Sequence, residues 1–432
     1  MFPLLKLDVP KLRFDPLDSS QVDVDKLKGL QRFGPYKSAI DPRLAFVFPK
    51  GSSSQANILF RALRSGVGYF KGMPTTFRMP LANDDVLPVS KFEIRDSFTD
   101  QDREKAYTDA VGEALSDSAK DANLFVILHP RTPKWKEDGP YYGCKDLLLS
   151  KGIVSQSVTF DLLDNSDQFS WSAANIALAI HCKLGGTPWV AATGLGLSHV
   201  VIAVGRSETV DPISRNRKRF VAFSTVLTNH GQFCFSNIGT GVYDESNYLE
   251  SLTTVVRSAL AEGLNRNGSV QFVAVHMSKD FNYAEMEAVR RGVVNSESRP
   301  IRPVFLKVGD EERFFLVDKE TDSGVPKRGT KIVLSEAESI IYTEGRDDLK
   351  AWKNRQPSII RVKRYGDLSA AEDVSAANDA ERDILALSQV NFRGFNSASR
   401  PAPLVYSELI SRIVSRGVAI PAGELQNRMW FL

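Results

Sequence analysis

Two α/β domains in one chain are what this sequence predicts, and three observations predict them. The 432 residues exceed what one ordinary core organises, so two domains are the natural division. Between residues 40 and 165, short apolar runs alternate with helical periodicities, the β-α-β-α order of a parallel, Rossmann-like sheet. From residue 199 onward, three consecutive strands precede a helix, a strand and another helix, the order of an RNase H-like domain.

Residues 1–39 are punctuated by proline and aspartate, with extended pieces at Leu4–Leu7 and Lys11–Phe14 and a turn signal at Phe33-Gly34-Pro35-Tyr36. This segment is expected to pack on the second domain or on a partner. The first domain, 40–185, opens on a buried strand at Leu44–Phe48. A helix follows over Ser52–Ser65, with Ile58, Leu59, Ala62 and Leu63 at helical spacing behind a serine-rich start. Asp100–Lys120 reads as a helix and Asn123–Leu128 as an apolar strand. Gly139-Pro140 begins the next helix, since proline suits a first turn, and Ile153–Val158 is the following strand.

The second domain, 186–432, carries strands at His199–Val204, Arg219–Leu227 and Gln232–Asn237. A helix then places Leu249, Leu252, Val256 and Leu260 on one face, followed by a strand at Val270–Val275 and a helix at Tyr283–Val293. Further strands are expected at Pro303–Val308, Arg313–Val317, Lys331–Leu334 and Ser358–Lys363, and a last helix at Val405–Ser415.

Composition narrows the function classes. Hydrophobic content of 42% and charged content of 25% describe a soluble globular chain. No apolar run approaches the roughly 18–20 residues of a membrane span, and Asp8 and the early prolines interrupt any signal-peptide core. A cytoplasmic protein without membrane contact is expected. Cys144, Cys182 and Cys234 lack C-x-x-C spacing, which argues against zinc and for buried thiols. No G-x-G-x-x-G, P-loop, H-E-x-x-H or G-x-S-x-G pattern is present. The net charge of +3 is too balanced to argue for nucleic acid by itself. The basic runs Arg215–Arg219 and Arg361–Arg364 read first as solvated loop or strand ends.

The chemistry concentrates between Tyr141 and Trp189. Tyr141 and Lys145 lie four apart on the first turns of a helix, where unpaired N–H groups and the macrodipole favour an anion. Gln156, placed at the end of the next strand, adds an amide donor, and Lys183 stands before the Gly185-Gly186 turn. Together they make a pocket suited to a terminal phosphate, and hence a protein that binds nucleic-acid ends.

The runs YYGCK (141–145), GIVSQ (152–156) and NIALAIHCKLGGTPW (175–189) resemble the MID domain and MID–PIWI junction of Argonaute proteins. Phe33–Tyr36 is similar to the leading segment of MID–PIWI proteins, and Asn396–Arg412 to the PIWI C-terminal motif. The resemblance implies a MID domain at 40–185 and an RNase H-like PIWI domain at 186–432, without N-terminal and PAZ domains. That is the arrangement of the short prokaryotic Argonautes. It assigns Tyr141, Lys145, Gln156 and Lys183 to the 5′ phosphate of a guide strand. It also implies a divalent cation, Mg²⁺, at that phosphate, with the carboxylate of Leu432 and with Gln156 as ligands.

An RNase H-like nuclease needs several carboxylates around two metal ions. The positions that correspond by resemblance are Gly205, Asp280 and Glu408; the first lacks a carboxylate, and Asp280 is displaced from the expected place. The implied protein binds guide RNA (or DNA) and a complementary DNA (or RNA) target without cutting. In prokaryotic defence against plasmids or phages it acts through an APAZ-containing effector carrying a TIR, Sir2 or nuclease activity. Two rivals stand beside this: a slicer using Asp280, Glu408 and an acid such as Asp244 or Glu245, and an effector-independent guide-binding homodimer.

Overall fold

The structure, a computed structural model, describes residues 2–82, 85–87, 90–95, 99–131, 139–191, 199–210, 217–229, 232–236, 247–267, 269–293, 301–311, 313–314, 316–320, 322–345, 357–366, 371–396 and 400–432. Its contacts divide the chain into two compact units. The first unit is Arg13–Trp189 with Phe392–Phe395 and Arg416–Leu432, and the second is Met1–Leu12 with Val190–Asn391 and Asn396–Ser415. These units depart from the predicted boundaries at both ends of the chain. The N-terminal 39 residues split between them, and the last 17 return to the first unit.

Three short strands, β1 (Leu4–Lys6), β2 (Leu12–Arg13) and β3 (Val22–Asp23), lead into helix α1 (Lys26–Phe33). The Asp25 side chain caps α1 by accepting from Lys28 N, and Gly34, at φ 89°, ends it. In the first unit, β4 (Leu44–Pro49), α2 (Ser53–Ser65), α3 (Gly72–Phe77), β5 (Ser90–Phe92), α4 (Asp100–Ser116), β6 (Leu124–His129), α5 (Pro140–Ser150), β7 (Val154–Thr159), α6 (Phe160–Asp164) and α7 (Ser166–Lys183) follow. Strands β4, β5, β6 and β7 form one parallel sheet in the order β5-β4-β6-β7. Every residue of β4 and β6 is buried, which is why both read as continuous apolar runs. On one face Val47, Phe125 and Ile127 pack with Tyr107, Val111, Cys144 and Leu148 of α4 and α5. Helix α4 starts from a capping box between Thr99 and Asp102 and stops at Ser116, four residues short of the expected end. Ile58, expected on the apolar stripe of α2, is instead 43% exposed.

After β8 (Val190–Ala191), the second unit holds β9 (Val200–Val210), β10 (Arg217–Asn229), β11 (Gln232–Ser236), α8 (Tyr248–Asn267), β12 (Phe272–Met277), α9 (Tyr283–Val293), β13 (Arg302–Asp310), β14 (Thr330–Val333), β15 (Glu338–Tyr342), β16 (Ile359–Tyr365), α10 (Ala371–Gln389) and α11 (Ala402–Val414). They build a nine-stranded sheet in the order β1-β14-β15-β16-β13-β12-β9-β10-β11. Strands β9, β10 and β11 are antiparallel, whereas β9, β12 and β13 run parallel. This is the expected RNase H-like order. Val204, Val275 and Met277 pack against Leu252, Val256 and Val289 of α8 and α9.

Three differences have physical causes. Of the strand expected at Arg313–Val317, the described residues Arg313, Phe314, Leu316 and Val317 lie outside any strand; Leu316 N donates to the Tyr342 hydroxyl rather than to a neighbouring ladder. Strand β15, between β14 and β16, escapes the sequence reading because it is only five residues long and opens on Glu338 and Ser339. Helix α10 escapes the sequence reading because Glu381 and Asp383, which meet Arg364, Lys331 and His199, interrupt a buried face that its small residues Ala377 and Ala380 mark only weakly.

Candidate functional site

Gly139, extended at the N-cap position, and Pro140 at the first turn start α5 and so fix where Tyr141 and Lys145 emerge. The two side chains share a face, with Lys145 Nζ 5.4 Å from the Tyr141 ring centroid. Lys145 is wholly buried, and its ammonium donates to the Trp430 carbonyl at 2.7 Å. Trp430 itself is fully buried, as is Phe431 beside it. The last turn of the chain is thereby part of the site, with Leu432 two residues beyond the acceptor.

Gln156 lies mid-strand in β7, the third of its six residues, rather than at the strand end. Its position opposite Val126 in the parallel ladder fixes its direction. Lys183, the last residue of α7, donates to the Ser155 carbonyl at 2.7 Å and to Gln156 Oε1 at 2.8 Å. Gly185, at φ 88°, permits the turn that ends this helix, and the Arg428 side chain lies against it. All four predicted residues therefore converge on the start of α5, the middle of β7 and the end of α7, within the first unit.

The electrostatics are unusual. Two lysines are fully buried, and among the described residues neither has a carboxylate partner; both donate only to neutral oxygens. Burial pushes Lys145 down to about 7. Lys183 falls well below the ordinary lysine value, through burial first and the charge of Lys145 second. Burial also raises the Tyr141 hydroxyl above its usual range, which keeps it a neutral donor. A pair of buried ammonium groups without a counter-charge is costly, and an entering anion would offset that cost.

No cluster of three or more His, Cys, Asp or Glu suited to a metal ion occurs among the described residues. At the pocket the available donors are hard oxygens, the type Mg²⁺ takes. Gln156 Oε1 is engaged by Lys183, so a cation there would have to share or displace that contact. Sequence reasoning missed the Ser155 and Trp430 carbonyls, because a main-chain acceptor leaves no mark in residue identity.

Gly205, Asp280 and Glu408, the positions that the resemblance sets against a nuclease's carboxylates, lie in the second unit. Gly205 sits in β9 directly beneath α11: a Cβ built there falls 2.1 Å from the Ser407 carbonyl carbon and 2.2 Å from Glu408 N. Asp280, in the loop after β12, accepts from Lys307 at 2.7 Å and from the Tyr365 hydroxyl, with Lys363 at 3.6 Å. These hydrogen bonds, with the two lysine charges, hold its carboxyl well below the usual range. It lines a cavity of about 360 Å³ with Lys307, Arg361 and Lys363. Glu408 is paired with Arg400 at 2.7 Å. Next to Gly205, Arg206 joins Lys279 on the buried carboxylate of Glu285, both at 2.7 Å. Asp244, Glu245, Arg215 and Asn216 lie outside the described residues, as do 397–399 of the C-terminal motif. Arg361 and Arg364 are ion-paired strand residues. Cys144 and Cys182 are buried free thiols, and the side chain of Cys234 falls outside the described set. No described helix is long and apolar enough to cross a membrane.

A family profile described as "Piwi domain" matches residues 126–419. The chain is 22% identical over 450 residues to the "Protein argonaute" of Cereibacter sphaeroides, covering 94% of this chain and 56% of that protein. It is 22% identical over 432 residues to the "Piwi protein" of Archaeoglobus fulgidus, covering 94% of this chain and 93% of that one. Among solved structures, it is similar in fold to Clostridium butyricum Argonaute bound to a guide DNA with 5′ deoxycytidine and a 19-mer target DNA. That match has a TM-score of 0.69 at 16% identity and covers 100% of this chain and 55% of the other. Drosophila Piwi matches with a TM-score of 0.66 at 15% identity, over 99% of this chain and 56% of that chain. The chain thus spans about half the length of the Cereibacter protein and of both solved chains.

Proposed function

The chain belongs to the Piwi domain family, and on that premise we propose that it is a guide-binding Argonaute which grips a 5′-phosphorylated strand end and does not cut. The observation that carries the reading is the buried pair Lys145 and Lys183, held by neutral oxygens and lacking a described carboxylate. A terminal phosphate is the ligand such a pair needs. Tyr141 contributes a neutral hydroxyl and Gln156 an amide, donors that orient the phosphate without adding charge. Guide pairing then reads the target, and the protein holds the duplex by its backbone.

The test compares 5′-phosphorylated with 5′-hydroxyl strands. Lys145→Ala and Lys183→Ala are expected to weaken binding of the phosphorylated strand by about 1.5–3 kcal/mol each, the range for a charged hydrogen bond, and to spare the hydroxyl strand. Equal losses on both strands would remove the assignment.

Mg²⁺ would be held by the phosphate with the carboxylate of Leu432 and with Gln156 Oε1, and would neutralise the phosphate when bound. Deleting Phe431-Leu432, or adding a chelator, is then expected to lower affinity for the phosphorylated strand; a strand bound equally tightly in both cases rules the cation out.

The non-cutting reading is supported by α11 pressing on Gly205, where no carboxylate has space, and by the cations on Asp280 and Glu408. Its biological setting follows the resemblance: an RNA guide, a DNA target from a plasmid or phage, and an APAZ-containing TIR, Sir2 or nuclease effector that carries the chemistry. Purification from the host with bound nucleic acid and associated proteins tests all three.

A further inference from the structure

Tyr69 and Trp171 present paired rings to solvent, with centroids 4.9 Å apart and planes tilted by 38°. They are 69% and 62% exposed, although large aromatics are the side chains a fold ordinarily buries. Both belong to the first unit.

The backbone holds them in place. Tyr69 rides a turn in which Gly66, Gly68 and Gly72 all have positive φ, at 90°, 57° and 80°. A Cβ at Gly66 would fall 2.2 Å from the Phe70 carbonyl oxygen, and one at Gly72 2.5 Å from that of Arg64, so the turn is tight. Val67 and Phe70 exchange both main-chain hydrogen bonds across it, at 2.9 and 3.1 Å. Gln31 Nε2 fastens the Tyr69 carbonyl at 2.9 Å. Trp171 stands on α7, which is anchored on either side by buried Phe169 and Ala173. A shelf fixed in this way loses little freedom when a flat partner stacks on it.

The charge on the Tyr69 side bears on what the partner is. Residues 42–83 contain Arg43, Lys50, Arg61, Arg64, Lys71 and Arg78 and no Asp or Glu. Arg61, Arg64 and Lys71, nearest in sequence to Tyr69, are exposed. On the other side, Asp167 lies one turn before Trp171. With Arg61, Arg64 and Lys71 around Tyr69 in sequence and the acids Asp161, Asp164 and Asp167 before Trp171, a base stacked on the rings would direct its phosphates to the Tyr69 side. The shelf is separate from the phosphate pocket: Trp171 precedes Lys183 by twelve residues of α7, about 18 Å along the axis and about 120° around it.

We propose that Tyr69 and Trp171 form a stacking platform for an unpaired base of a single-stranded nucleic acid, with Arg61, Arg64 and Lys71 attracting its phosphates. This rests on the reading of the chain as a nucleic-acid binder. The test titrates the full chain with 5′-hydroxyl single strands, DNA in one arm and RNA in the other, so that the phosphate pocket does not contribute. Tyr69→Ala and Trp171→Ala are each expected to weaken binding about 5- to 150-fold, the effect of losing one stacked base, while Trp171→Phe keeps most of it. Arg61→Gln and Lys71→Gln are expected to lower the salt dependence by about one ion each. Alanine variants that bind these strands like the parent overturn the platform. So does loss of a protein partner with strand binding unchanged. If the 5′-phosphorylated strand also fails to bind the parent, the underlying reading falls as well; if it binds normally and the alanine variants are silent, the platform alone falls.

Discussion

Lys145 and Lys183 set the energetics of the pocket because both ammonium groups have left water without meeting an anion. Their consequence for stability has a definite sign. Lys145 titrates at about 7 in the fold against an ordinary value of 10.5, so between these values the unfolded chain binds more protons than the folded one. Stability of the strand-free protein therefore rises with pH from about 7 towards 10.5 and sits at its lower level below 7. The thermal midpoint is expected to climb between pH 7 and pH 9, and Lys145→Met to flatten that climb; equal slopes for parent and variant would refute it. The four side-chain types and the Tyr141–Lys145 spacing were legible in the sequence. The Ser155 and Trp430 carbonyls were not, and neither was the absence of a described carboxylate. Burial decides whether a lysine is a surface charge or a trapped one, and no single residue reports its own burial.

At the scale of elements, the contact between β9 and α11 bears on cleavage. Gly205 is the strand residue on which the helix backbone rests, and a single added carbon meets it at just over 2 Å. Gly205→Ala is accordingly expected to destabilise the second unit by about 1–3 kcal/mol, as overpacking does, read by denaturant unfolding. A neutral Gly205→Ala would show that α11 yields and that a carboxylate could be restored there. In the sequence Gly205 is only a residue without a side chain; the close approach of the helix shows that a larger side chain has no space there. Elements with simple periodicity, such as β4, β6 and α8, were readable because their buried faces are apolar. Helix α10 was not, since two buried acids, Glu381 and Asp383, break an alanine-rich buried face, and β15 was not, since five residues carry too little pattern.

At the scale of the whole molecule, a guide-loaded chain either spares or cuts its target. With Mg²⁺ or Mn²⁺ and a matched guide, a labelled complementary strand is expected to remain intact; cleavage that disappears in Asp280→Ala would establish the slicer instead. The same scale shows how the chain is threaded: each unit is assembled from three separate stretches. The return of 416–432 to the first unit brings the Trp430 carbonyl onto Lys145, 285 residues away in sequence. By itself the sequence determined the α/β class, the order of most strands and helices, and the residue types of the pocket. These follow from local hydrophobic period and from motif spacing. Only the tertiary structure decided that the two lysines are buried on neutral oxygens, that a helix closes over Gly205, and that the Trp430 carbonyl meets Lys145. Those are contacts between residues far apart along the chain, set by packing rather than by any local pattern.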